Sequence, residues 1–259
     1  MPDNSPTYTR RKLLAGLGGA ATVAKAGCAN SDQPAETTST PTTEPQSATQ
    51  TAPTDSVATV DGQGATSMQI DTLEAQLADF PTNELSEAEI AGLKFMREEE
   101  KLAHDLYTEL GSEFGYRAFE NIAASEQTHT DAVALLLEKY GIPDPVTGEP
   151  GTFSNDELQS LYDSLLETGM QSAEAALKVG AEVEEVDIVD IQERADTTEE
   201  EAITLVYDNL IRGSRNHLRA FVRVLEREGK DYSPRHLSQA EYDDIISSSI
   251  EQGAGNGGM

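Results

Sequence analysis

Between residues 67 and 252 apolar side chains recur at steps of three and four, and no stretch alternates with the period of two that a half-buried strand needs. The spacing predicts a short leading helix over 67–80, with Ile70, Leu73 and Leu77 on one face and Pro81 beyond its end. Ser86-x-x-Glu89 reads as a capping box opening a long helix that runs to Leu110 before Gly111. A second long helix takes Tyr116 to Tyr140 and ends at Gly141, with Pro143 following. Ser154-x-x-Glu157 starts a segment that breaks near Gly169 and resumes as a third long helix from Met170 to Ala195. Thr198-x-x-Glu201 opens a fourth, which reaches Glu228 and stops at Gly229, and a last short helix covers 239–250. The elements predict an all-α domain: an antiparallel four-helix bundle with short extra helices at both ends.

The inward stripes of the four long helices carry charge where only apolar side chains are expected. The first reads Leu93, Met96, Glu100, Ala103, Tyr107, Leu110, and the second Phe119, Ile122, Glu126, His129, Val133, Leu136. The third gives Leu177, Ala181, Glu184, Ile188, Ile191, and the fourth Tyr207, Leu210, Ser214, His217, Phe221. All four seams are polar at mid-height, where an unpaired buried charge costs several kcal/mol.

Charge and cysteine usage limit what such a domain can contact. The chain has 18 basic against 47 acidic residues, a formal net charge of -29, and one cysteine. This acidity repels phosphate backbones and anionic lipid headgroups, which argues against nucleic acid as a partner. Arg10-Arg11-Lys12 has the twin-arginine pattern, and an uncharged run to Ala24 follows, so residues 1–27 read as an export signal. Ala26-Gly27-Cys28 resembles a lipobox, in which Cys28 becomes the lipid-modified first residue, although Lys25 departs from the usual aliphatic position. Any membrane attachment is then through that lipid, which puts the protein on the outer face of the membrane or outside the cell. Removing residues 1–27 takes away four basic groups and Asp3, leaving a charge of -32, a surface suited to high salt in a halophile. Residues 28–66, rich in Thr, Ser and Pro, read as a disordered tether, 67–252 as the folded domain and 253–259 as a flexible tail.

The two halves of the domain can be laid on each other. Phe119-Glu120-Asn121-Ile122 followed by Ser125-Glu126-x-x-His129 matches Tyr207-Asp208-Asn209-Leu210 followed by Gly213-Ser214-x-x-His217, and Glu100 falls opposite Glu184. The pattern reads as a duplicated helix pair with a pseudo-symmetric site between the copies. Inward Glu from two helices and Glu-x-x-His from the others resembles the ligand set of ferritin-like di-iron and di-manganese carboxylate proteins. More narrowly, Arg97-Glu98-Glu99-Glu100-Lys101-Leu102-Ala103, Ala124-Ser125-Glu126-Gln127-Thr128-His129, Glu184-Glu185-Val186-Asp187-Ile188 and Gly213-Ser214-Arg215-Asn216-His217 are similar to the domain of unknown function 2202 family.

The resemblance implies a ferritin-like fold and a metal site of Glu100, Glu126, His129, Glu184 and His217, holding one or two Fe or Mn ions, with Zn also accommodated. Ser214 stands where the symmetric pattern would have a fourth Glu; Glu185 or Asp187 are the candidates to replace it, and Tyr107 and Ser214 are expected around the ligands. Glu98 and Glu99 read as solvated, with a place at the seam edge as the alternative for Glu99, His104 as a surface or supporting group, and His236 as unrelated. Two functional classes stay open. One is an exported metal-binding protein with oxidase or peroxide-scavenging activity; the other is a non-catalytic helical interaction module whose polar cluster is structural. A homodimer is compatible with either.

Overall fold

A computed structural model describes residues 58–60 and 66–252. The export signal, Cys28, most of the tether and the 253–259 tail lie outside the described residues. The chain enters through β1 (Ala58–Val60) and β2 (Thr66–Met68), which pair antiparallel with Ala58 opposite Met68 and Val60 opposite Thr66. Seven helices follow: α1 (Ile70–Asp79), α2 (Glu87–Phe114), α3 (Arg117–Lys139), α4 (Asp156–Gly169), α5 (Ala173–Ala195), α6 (Glu201–Arg227) and α7 (Gln239–Ser247). The domain is all-α apart from that hairpin.

The four long helices pack as two pairs, α2 with α3 and α5 with α6, and the pairs meet along α3–α6 and α2–α5. Each pair is joined by a short turn, so its members run antiparallel. Gly115 at φ +67 ends α2 with a left-handed residue that a side chain would strain. The Ser86–Glu89 capping box forms in both directions, satisfying two amides at the start of α2.

The structure corrects the sequence reading at several boundaries. The hairpin takes residues assigned to the tether and to the start of the leading helix, and strands of three residues are too short to display alternation. Helix α2 continues through Gly111 to Phe114; a Cβ at Gly111 would lie 3.0 Å from Phe119 Cβ, so the glycine serves helix contact rather than termination. Two expected capping boxes do not form. Asn155, not Ser154, caps α4, because the Ser154 hydroxyl donates to the Pro145 carbonyl. Glu200 stands at the N-cap of α6, while Thr198 donates its hydroxyl to Glu89. Among the described residues no helix is long and apolar enough to cross a membrane.

Glu98 and Glu99 are buried, against the solvated reading. Glu98 accepts the Ser154 and Asn155 amides and so fastens the start of α4 to α2. The His236 side chain is also buried, its Nε2 3.5 Å from Glu182. Glu182 in turn accepts from Arg235 and holds the segment after α6.

Candidate metal centre

The stripe positions singled out by helical spacing converge. Glu100 from α2, Glu126 and His129 from α3, Glu184 from α5 and His217 from α6 are each 0% exposed. Glu126 lies between the two imidazoles: its Oε2 is 2.8 Å from His129 Nδ1 and its Oε1 is 2.7 Å from His217 Nδ1. Each imidazole faces one further carboxylate, Glu100 Oε2 at 3.4 Å from His129 Nδ1 and Glu184 Oε2 at 3.5 Å from His217 Nδ1. The arrangement is two half-sites sharing one carboxylate, one oxygen each, as the duplication leads one to expect.

Although the nitrogen–oxygen distances are short, these atoms do not hydrogen-bond to one another. Both oxygens of Glu126, both of Glu100, Glu184 Oε2 and the Nδ1 of both imidazoles lack a partner in hydrogen-bonding geometry. Such orphaned buried groups call for an unseen ion or water. Ligand atoms about 2.1 Å from a metal stand about 3.0 Å apart at a right angle and about 3.4 Å apart at a tetrahedral one, so the Glu100 and Glu184 separations fit a shared cation as they stand, while the shorter Glu126 ones would open by a few tenths of an ångström around it. Glu126, His129 and His217 each offer a ligand atom within a span of 4.8 Å.

The groups around the centre hold its rings. Ser125 Oγ donates to the Thr66 carbonyl and lies 2.9 Å from His217 Nε2, and the Thr66 amide donates to the same Nε2 at 3.4 Å, so Ser125 and Thr66 together hold the ring with Nδ1 turned to Glu126 and Glu184. Thr66 belongs to β2, so the hairpin that periodicity missed supports one imidazole. The equivalent of Ser125 in α6 is Gly213, where a Cβ would come 2.4 Å from His129 Cε1 and 2.6 Å from Nε2. His129 Nε2 therefore has ring space instead of a hydroxyl, and it has no partner. Tyr107 donates to Glu184 Oε1 at 2.7 Å and packs on Phe119 and Phe221, with ring centroids 6.0 and 5.2 Å away.

Of the candidates for the missing fourth glutamate, Asp187 faces this interior and Glu185 does not. Glu185 accepts from the Tyr232 hydroxyl and the amides of Arg235, His236 and Leu237, turned away to secure the chain after α6. Asp187 is buried with neither oxygen partnered; burial raises its carboxyl well above the usual range, with Glu100, Glu99, Glu184 and Glu126 adding to the rise. Ser214 turns its hydroxyl back to the Leu210 carbonyl at 3.1 Å. His104 stays half-buried beside Asp105, on the outer side of α2.

Without metal, protons supply the positive charge. Burial alone would lower both imidazoles, but Glu126 with Glu100 lifts His129 to about 10, and Glu126 with Glu184 lifts His217 to about 9. Burial raises Glu100 to about 7 against the pull of His129, and burial with Glu126 raises Glu184 to about 7. Glu126, which burial would raise, is held below the usual range by His217 and His129.

The raised groups stabilise the fold fully below their ordinary values of 4.5 and 6.5, and that stabilisation is lost as pH climbs through 7 and then 9 to 10. Glu126 acts oppositely, adding stability above 4.5 that is lost only as pH falls through its depressed value. The chelated protein is thus expected to melt at progressively lower temperature from about pH 6 to about pH 9, and the gain from added Mn(II) to grow over the same interval. Calorimetry with and without chelator at the two pH values checks both slopes.

Comparison with other proteins gives a family and a relative. Residues 89–249 match the family described as "Uncharacterized protein domain (DUF2202)". The chain is 51% identical over 178 residues to the uncharacterized protein MJ0754 of Methanocaldococcus jannaschii, an alignment covering 68% of this chain and 96% of that protein. The crystal structure of hypothetical protein MJ0754 superposes with a TM-score of 0.65, covering 67% of this chain and 99% of that one.

Proposed function

Given that the chain belongs to the DUF2202 family, described only as an uncharacterized protein domain, we propose from its site that it is a ferritin-like carboxylate–histidine metalloprotein binding two divalent cations. The observation that carries the reading is Glu126, whose two oxygens lie 2.8 and 2.7 Å from imidazoles on different helices without hydrogen-bonding to either. Glu100 and His129 would complete one half-site, Glu184 and His217 the other, and the unpartnered Asp187 adds a fourth carboxylate that brings the ligand charge level with two divalent ions.

Four carboxylates, two imidazoles and no thiolate suit iron or manganese, and Zn fits the same donors. When bound, such a pair supplies one-electron chemistry toward dioxygen or peroxide. The chain's own part is to exclude water, as every ligand is 0 to 1% exposed, and to hold a proton on Tyr107, whose hydroxyl burial and Glu184 keep well above the ordinary phenol range. We place the protein outside the cytoplasmic membrane on Arg10, Arg11 and Cys28 in the sequence.

Anaerobic titration of the chelated protein with Mn(II) and Fe(II) tests this. Binding should saturate near two ions per chain and raise the melting temperature. Saturation below about 0.3 ion per chain, with no thermal gain, would leave the polar cluster as a structural feature.

A further inference from the structure

Fourteen basic residues lie in the described domain, and ten have an acidic, amide or carbonyl acceptor. Among the described residues the other four, Lys94, Arg117, Arg223 and Arg227, show no hydrogen bond or ion pair. Three of these four line one groove of about 910 Å³ between the start of α3 and the end of α6. A protein with this excess of acid has carboxylates to spare, and Glu226 and Glu228 stand on the same groove without pairing to the arginines.

Helix electrostatics account for only part of this. Arg223 and Arg227 sit in the closing turns of α6, where a cation is favoured. Arg117 is the first residue of α3, where the helix end is already positive and a cation is disfavoured. The N-cap Tyr116 offers no side-chain acceptor to the opening amides, and Glu120, the acid of that first turn, lines a different cavity beside α2. An unfavourably placed guanidinium, an uncapped helix end and two further guanidinium groups therefore face one space. Its remaining lining sets Asn121 and the half-buried Tyr116 beside the apolar Ala118, Ile122, Ala220 and Val224.

The geometry points to this groove as a binding site for a small organic oxyanion, a carboxylate or phosphate head held by Arg117, Arg223 and Arg227 with an apolar body against the half-buried Tyr116 and Ala118. Forked guanidinium groups match both heads. The site lies one helical turn from the metal centre, since Ile122 precedes Glu126 by four residues, yet its ligands are none of the centre's residues.

The test is calorimetric titration of the full chain with inorganic phosphate, acetate, phenyl phosphate and benzoate, at ionic strength fixed with chloride. Phosphate against acetate identifies the head; phenyl phosphate and benzoate should each bind more tightly than the bare ion. Arg117→Gln/Arg223→Gln/Arg227→Gln should weaken binding about tenfold or more, while Lys94→Gln leaves it unchanged. Circular dichroism and cation stoichiometry of the triple variant should match the parent. No saturable binding over chloride overturns the proposal, as does equal affinity in the triple variant. A self-association seen by sedimentation and abolished in the triple variant, without ion binding, also overturns it and makes the groove an interface between copies.

Discussion

If the centre holds two cations as proposed, Glu126→Ala is expected to abolish the binding of both and the thermal stabilisation they would bring. This side chain alone faces both imidazoles, at 2.8 and 2.7 Å, whereas Glu100 and Glu184 each face one. At a free cation concentration of about a thousand times Kd, a site that exists only in the fold contributes about 4.1 kcal/mol. For a domain of this size that is a rise of roughly 8 to 16 °C per independent site. In Glu126→Ala the rise should fall to near zero, whereas Glu100→Ala should lose one cation and keep part of the gain. Melting curves with and without Mn(II), alongside elemental analysis, decide it. A variant lacking the carboxylate at 126 that still gains the full rise would show that no ion is shared there.

Gly213→Ala should be nearly as damaging, although alanine is the better helix former by about 0.5 to 1 kcal/mol. The added methyl would stand 2.4 Å from His129 Cε1 and 2.6 Å from Nε2. His129 is enclosed by Glu126, Glu100 and the His217 ring, whose centroid is 5.3 Å away at 22°. Relief therefore means moving a ligand, and overpacking of this kind costs about 1 to 3 kcal/mol. Gly92→Ala is the control with the opposite sign. There the new Cβ would meet only Arg194, at 3.6 Å and beyond, an ordinary contact. Gly92→Ala should raise the melting temperature slightly with cation stoichiometry unchanged, while Gly213→Ala lowers both; equal behaviour of the two would contradict the geometry at His129.

The long helices and the centre were legible because one signal serves both. A stripe with period 3.6 that is apolar except at Glu100, Glu126, His129, Glu184, Ser214 and His217 locates the interior and marks what is anomalous in it. What escaped was set by contacts distant in sequence. Nothing near Glu98 signals that two amides of the α4 cap will come to it, and Glu185 is distinguished from Glu184 only by the chain at 232–237 folding over it. Ser154 and Thr198 had the spacing of caps, but a hydroxyl bonds whichever acceptor packing supplies. The Ser125–Gly213 pair was visible in the alignment of the halves; its meaning, a hydroxyl for one imidazole and ring space for the other, needed three dimensions.

The short hairpin has a practical consequence. Its Thr66 carbonyl takes the Ser125 hydroxyl, and its Thr66 Oγ1 accepts from Asn216, next to His217. The match to the family model begins at residue 89. A fragment trimmed to that segment would retain every acid and imidazole of the centre yet lose the Thr66 amide, carbonyl and hydroxyl that hold His217, Ser125 and Asn216, so recombinant work should begin upstream of Ala58.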